Sequence, residues 1–360
     1  MSTIRDVAEY AHVSIATVSR VLKKTGPVSP ETEQRVYEAI EKLAYLPPHS
    51  NKKKSNDKKL SILVLFPNAI KSIHAETLSG IRDAAKENDV LLFYAHCDND
   101  TTLEASYVDA LRHGQFNALI FMGTFFQATE LLQIRKTCQI ALCGECVEGS
   151  KILSVAIDFE QAAYDEVTHL LNRGHKKIGI ITTHQRVWSS VQKENGYRRA
   201  LIEHGLPVEE EYFFYGRFAF NNTRYILNYF ESMDEPPTAY FCISDDIARA
   251  FCNCLLERNY SIGQELAICG FDDSKSSTSG YPLLTTINQP FYEMGHKVVE
   301  MLTSNMTSVI EHNDIINLPY KFYIRESTGG VISKQEKQEK QEKQESSEKQ
   351  GGINFEEIPQ

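Results

Sequence analysis

The sequence is short of the features that mark membrane, secreted and metal-binding proteins. No run of 18 apolar residues occurs in its 360, and no charged-then-apolar leader opens it. A helix crossing a bilayer needs about 20 such residues, so neither membrane insertion nor export is expected, and the protein reads as cytoplasmic. Cysteine is sparse, eight in all, and this suits a reducing compartment. Cys143 and Cys146 have redox-motif spacing without a second pair, and Cys252 and Cys254 fall on opposite sides of a helix. Ordinary reduced thiols are the simpler reading, and no metal site is expected. There is no Walker loop, nucleophile elbow or HExxH. Asp272 and Asp273 are adjacent at a strand end and point apart, which does not suit two-carboxylate hydrolysis. No catalytic residue and no cofactor is expected, and an enzyme is a distant alternative.

What is present begins at the amino terminus. Over residues 3–22, Val7, Ala8 and Ala11 share one apolar face. After a break at His12, Val13 and Ser14, a second amphipathic run turns Val18, Val21 and Leu22 inward. Ser14 is placed to cap that second helix, and His12 at the turn is expected at positive φ. Ile15, Ala16, Thr17, Ser19 and Arg20 are left for the outside, near the start of a helix that could enter a major groove. A plain helical hairpin would share the apolar spacing but gives less reason for the run VSIATVSR. Charge supports contact with a polyanion. Residues 1–60 hold eleven Lys and Arg against seven Asp and Glu, a net of +4, whereas the rest holds 27 against 41, a net of −14. An acidic body would keep DNA binding confined to the basic head.

From residue 60, short apolar runs alternate with amphipathic stretches. Strands are expected at 60–66, 90–95, 118–122, 139–143, 154–157, 177–182, 211–215, 239–243 and 265–270. Helices are expected at 74–88, 101–113, 159–173, 190–204, 220–231 and 245–259. This alternation predicts an α/β body of doubly wound parallel sheets. Ligands of such sheets sit beyond the carboxyl ends of the strands. Asp158 stands there after SVAI, Ser244 and Asp245 after FCI, and Asp272 and Asp273 after ICGF. Trp188 and Lys193 open the helix after IGIITT, and Phe291 heads another. Carboxylates beside an aromatic face suit a polyol. Each carboxylate could equally cap an element end, and Trp188 could simply pack at a rim.

VSxATVSR is followed by VSPETEQRVYEAIEKLAY over 28–45, GHKKIGII over 174–181, NGYRRAL over 195–201, ICGFDDS over 268–274 and PLLTTINQP over 282–290. Together these resemble the LacI family of bacterial transcription regulators, over residues 3–329. The resemblance implies a three-helix helix-turn-helix head (1–46), a hinge (47–59) and a two-lobed body of the periplasmic sugar-binding type (60–329). One lobe would hold about 60–159 and 290–320, the other about 160–289 and 321–329. Residues 330–360 carry a KQE repeat with no apolar seam and read as a disordered, solvated tail. The family implies a homodimer on pseudo-palindromic double-stranded operator DNA, hence a nucleoid-associated protein. Ile15, Ala16 and Arg20 would read bases, with Thr3, Thr17 and Ser19 on phosphates and Ser14 in the same set. Asp158, Trp188, Lys193, Ser244, Asp245, Asp272 and Phe291 would serve the effector cleft, for a small sugar or sugar phosphate.

The chain departs from the family pattern in informative places. Ser244 and Phe159 stand where Asn is usual, and Lys193 where Arg is usual, which weakens a typical sugar site. The hinge reads YLPPHSNKKKSNDKK, with Lys54 where the family wedges a Leu into the minor groove. Lys52, Lys53 and Lys54 could follow phosphates instead, or the stretch could remain a flexible linker. SVAIDFEQAAYDEVTHL over 154–170 and NGYRRALIEHGLPV over 195–208 are similar to the Gram-positive carbon catabolite control branch. That branch implies a second kind of partner, a serine-phosphorylated phosphocarrier protein docking on helices 74–88 and 291–305. Glu300 stands where that branch has Arg and would repel a phosphate, with His296 and Lys297 as partial compensation. A paralogue with a different or weakened co-regulator is the expectation.

Overall fold

Short apolar repeats in the first 43 residues produce three helices: α1 (Ile4–Tyr10), α2 (Ile15–Lys23) and α3 (Pro30–Lys42). This computed structural model describes residues 3–23, 26, 28–43, 59–67, 74–184, 187–216, 223–304 and 315–329. Lys52, Lys53, Lys54, the tail and the side chain of Leu22 lie outside the described residues. The chain divides into two units between Lys59 and Leu60. In the first, Val7, Ala8, Ala11, Val18, Val21, Val36 and Ala39 form the core. These are small side chains, and a core of this size leaves little stability in reserve. Local hydrogen bonds therefore matter. Ser29 accepts the Thr32 N–H at 3.3 Å to start α3, and His12 makes the α1–α2 turn at φ 53°.

The second unit holds two parallel sheets. The first contains β1 (Ser61–Phe66), β2 (Leu91–His96), β3 (Ala118–Phe121), β4 (Gln139–Cys143), β5 (Leu153–Ala156) and β11 (Ile315–Asn317). Their order is β11-β5-β4-β3-β1-β2, with every neighbouring pair parallel. Helices α4 (His74–Glu87), α5 (Thr101–Arg112), α6 (Ala128–Ile134) and α12 (Phe291–Ser304) belong to this lobe. The second sheet contains β6 (Ile178–Thr183), β7 (Phe213–Gly216), β8 (Ala239–Cys242) and β9 (Ala267–Cys269), in the order β7-β6-β8-β9. Around it lie α7 (Phe159–Asn172), α8 (Trp188–Glu203), α9 (Thr223–Glu231), α10 (Asp245–Glu257) and the short α11 (Lys275–Thr278).

Three passages of chain join the lobes. One runs from β5 into α7. The other two form an antiparallel ribbon of β10 (Thr286–Asn288) and β12 (Lys321–Tyr323). The lobes are thus discontinuous in sequence. In the NGYRRAL motif, Gly196 lets α8 lie directly on α7, because a Cβ there would stand 2.2 Å from the Glu160 carbonyl oxygen. Tyr197, beside it, is fully buried and donates its hydroxyl to Ile178 O at 2.6 Å, tying α8 to β6.

Structure and expectation differ at several element ends and in the shortest elements. The strand expected at 211–215 begins as a 3-10 turn, Glu210–Tyr212, and β7 runs two residues later. The helix expected from residue 190 starts at Trp188. Helix α6 was not foreseen; Gln127 and Glu130 cap it reciprocally. Strands β10, β11 and β12 have three residues each, too few to show a period.

Candidate nucleic-acid interface and effector cleft

In the head, Ser14 starts α2 as the residue types suggest: Thr17 N–H donates to Ser14 Oγ at 3.1 Å. Val18 is buried beneath that turn, while Ile15 remains 45 % exposed. Ser14, Ala16 and Arg20 are exposed as well, with Thr17 and Ser19 half-buried between them. A large apolar side chain, a small one and a guanidinium thus share the amino-terminal part of α2. Thr3 sits elsewhere, at the start of α1. Its backbone N–H and hydroxyl both donate to the Asp6 carboxylate, at 2.6 and 2.9 Å. Those hydrogen bonds hold the Asp6 carboxyl below the usual carboxylate range. Thr3 is therefore a capping residue beside a negative charge.

In the body, the ends of β6, β8 and β9 bring several of the expected cleft residues together. Lys193, on α8, is buried. Its Nζ donates to Ile243 O at 3.0 Å, lies 3.8 Å from Asp272 Oδ1 and sits 3.7 Å from the centroid of the Phe271 ring. Burial lowers the Lys193 pKa, and Asp272 opposes that shift. Asp272 has φ 105°, an uncommon conformation outside glycine, and it accepts Gln289 Nε2 at 2.7 Å. Phe159 meets Trp188 edge-on at 5.7 Å, between rings. A cavity of about 410 Å³ opens at Trp188, with Phe125, Phe126, Glu145 and Glu148 on its wall.

Most of the other expected residues hold partners of their own, although the Asp245 charge acts on both Lys193 and Asp272. Asp158 accepts Gln161 N–H at 2.9 Å and so caps α7. Ser244 is the residue preceding α10, without a side-chain cap bond. Asp245 is fully buried, with Ser274 N–H and the Thr286 hydroxyl donating to it at 2.6 and 2.7 Å. It is turned into the lobe and ties α10 to the crossover ribbon. Phe291 is half-buried against the main core at the start of α12. Asp273 points away from Asp272, to Arg325 at 2.8 Å.

Two carboxylates had no role in the sequence reading. Glu145, between the two cysteines of Cys143–Cys146, reaches Ser189 on α8. The cysteine spacing draws the eye to the thiols, yet burial pushes the Cys143 thiol up to about 12, far from a reactive thiolate. Glu166, on α7, is fully buried, and neither side-chain oxygen has a hydrogen-bond partner. Burial, and then the nearby Asp245 charge, raises its pKa well above the ordinary carboxylate value. Helical spacing puts Glu166 on the same face as Phe159, Ala162, Ala163, Val167 and Leu170, so the period pointed inward and only the charged residue type argued for a solvated position.

On α12, His296 meets Glu87 at 3.0 Å and Lys297 meets Glu300 at 3.1 Å. Tyr292 donates to Asp83 at 3.3 Å. Both side chains expected to compensate for Glu300 are engaged with carboxylates.

Comparison with known proteins agrees with this architecture. Residues 3–48 match the model for bacterial regulatory proteins of the lacI family, and residues 167–328 match a periplasmic binding protein-like domain. The chain is 31 % identical over 328 residues to catabolite control protein A of Priestia megaterium, covering 91 % of this chain and 99 % of that one. A lac repressor dimer bound to operator and the anti-inducer ONPF superposes with a TM-score of 0.67 at 22 % identity, covering 91 % of this chain and 99 % of that one. A complex of the transcriptional regulator CelR with cellobiose gives 0.66 at 22 % identity, covering 91 % and 100 %. No helix among the described residues is long and apolar enough to cross a membrane. With its helix-turn-helix head and two-lobed α/β body, the chain belongs to the lacI family: it is a DNA-binding transcription regulator and not an enzyme.

Proposed function

We propose that this regulator, a repressor in its simplest form, binds a pseudo-palindromic operator as a homodimer and controls genes of carbon metabolism. The observation that carries this reading is the exposed start of α2, where Ile15, Ala16 and Arg20 stand free of the head's core. Arg20 bonds a guanine edge, and Ile15 and Ala16 pack on thymine methyls. Thr17 and Ser19 fix the register through phosphates, joined by Ser14 and by Lys52, Lys53 and Lys54 of the hinge. Thr3 contributes by holding α1. The dimer draws support from β2, an edge strand on which Leu91, Phe93 and Tyr94 are each nearly half exposed. The protein acts in the cytoplasm, at the nucleoid.

The effector is a small sugar or sugar phosphate in the interlobe cleft. Lys193 and Asp272 offer it a donor and an acceptor, and Trp188 offers an aromatic face. Lobe position then sets operator affinity. A phosphorylated phosphocarrier on α4 and α12 is the alternative, and the pairing of His296 and Lys297 with carboxylates favours it less. Selection of genomic fragments by the purified full-length protein, at low and high salt, tests the DNA reading. A palindrome with a defined centre is expected at both. Recovery of only salt-sensitive, sequence-random fragments would contradict it.

A further inference from the structure

Among the described residues, none from the stretch before helix α8 caps it. Val187, the residue before it, makes no side-chain bond to the free N–H groups of the first turn. The donor at Ser189 is satisfied from the other lobe instead. Gly144, at φ 76°, turns the chain out of β4. Glu145 then accepts the Ser189 N–H at 3.0 Å on Oε2 and the Ser189 hydroxyl at 2.5 Å on Oε1. Strand β4 belongs to the first sheet, while α8 follows β6 of the second. The contact thus spans the two lobes at the cleft cavity, away from the three crossover passages. Burial raises the Glu145 pKa, and the two Ser189 hydrogen bonds and then the Lys193 charge, one turn along α8, oppose that shift; a helix amino terminus likewise favours the carboxylate.

We propose that the Glu145–Ser189 pair is an interlobe latch that holds the cleft closed without a ligand. The inference rests on reading the body as a two-lobed switch and adds what sets its resting position. Glu145 does for α8, from the opposite lobe, what a capping residue ordinarily does from its own chain neighbourhood. A ligand entering the cavity between Phe125, Phe126 and Trp188 therefore acts on a contact that is already made.

Trp188, the only tryptophan of the chain, adjoins Ser189 and reports on this contact without ligand or DNA. The test uses the full-length protein and the variants Glu145→Ala, Ser189→Ala and their double, each checked for folding by thermal melting. Each single variant is expected to shift Trp188 emission to longer wavelength and to raise its acrylamide quenching at least twofold. The double should add nothing, because losing either partner already frees the latch. Glu145→Gln, which keeps one acceptor, should fall between. Glu148→Ala removes an exposed carboxylate from the same cavity wall and should behave as wild type. Unchanged emission in the single variants, effects that sum in the double, or the same shift in Glu148→Ala would each overturn the latch. Operator affinity of the same variants is read separately. An opened cleft with unchanged operator binding leaves the latch standing and contradicts its coupling to DNA.

Discussion

The head and the cleft handle polar chemistry in opposite ways. On α2, the groups that would meet a partner are exposed, and the interactions that hold the helix lie beneath them, in the Ser14 cap and in Val18 and Val21. In the cleft, the groups suited to a ligand hold one another: Lys193 with Ile243 O and Asp272, Asp272 with Gln289, Glu145 with Ser189. The lesson concerns separability. A recognition surface kept outside its core can change without cost to the fold, whereas a site whose members are each other's partners cannot.

The sharpest way to break that contrast is Lys193→Met, which keeps the bulk and removes the charge. It leaves Asp272 buried without its cation, and loss of one member of a buried pair costs about 3 kcal/mol. Urea unfolding of the body should show that loss; an unchanged midpoint would mean that the Lys193–Asp272 contact is incidental.

Next in size is Glu166→Gln, which tests the buried carboxyl behind the cleft. The folded protein holds the Glu166 proton at pH values where the unfolded chain has released it. Its folded pKa is raised, so the wild type is least penalised below the ordinary carboxylate range and loses stability as pH rises through the folded value. The variant has no proton to lose. It should therefore gain about 1–2 kcal/mol over wild type near pH 8 and little near pH 4, as measured by chemical denaturation at the two pH values. A gain independent of pH would remove titration of Glu166 from the account.

Ser14→Ala has a smaller effect. Loss of the cap should cost the head about 1 kcal/mol, seen as earlier melting of the head with the body unchanged. Because the head core is built from Val and Ala, even this is expected to weaken DNA binding through partial unfolding. If the head melts unchanged, the Ser14–Thr17 bond is not what holds the start of α2.

The two regions also differed in how much the sequence disclosed. The head was legible almost residue by residue, because helix periodicity, the Ser14 cap and the positive φ of His12 are local properties. The parallel-sheet body was legible from strand–helix alternation, and its longer strands fell within a residue or two of expectation. Three-residue strands such as β10 and β12 were not, since their existence depends on pairing with chain 35 residues away. The cleft was legible only in part. Strand ends pointed to Lys193 and Asp272, but nothing local distinguishes Asp272 from Asp245, which faces the crossover ribbon. Glu145 and Gln289 take their meaning from partners 44 and 17 residues away. Position along an element was readable; the direction in which each side chain was already committed was not.

Whether α2 reads bases from outside the head's core is decided by the affinity of Arg20→Ala for the operator recovered by fragment selection, set beside its unfolding curve. Stability should stay within about 0.5 kcal/mol of wild type, while operator binding falls by about 1–3 kcal/mol, roughly 5- to 150-fold, with non-specific DNA binding retained. Wild-type affinity for the operator in Arg20→Ala would contradict base reading by α2, and so would a loss that the unfolding curve already explains.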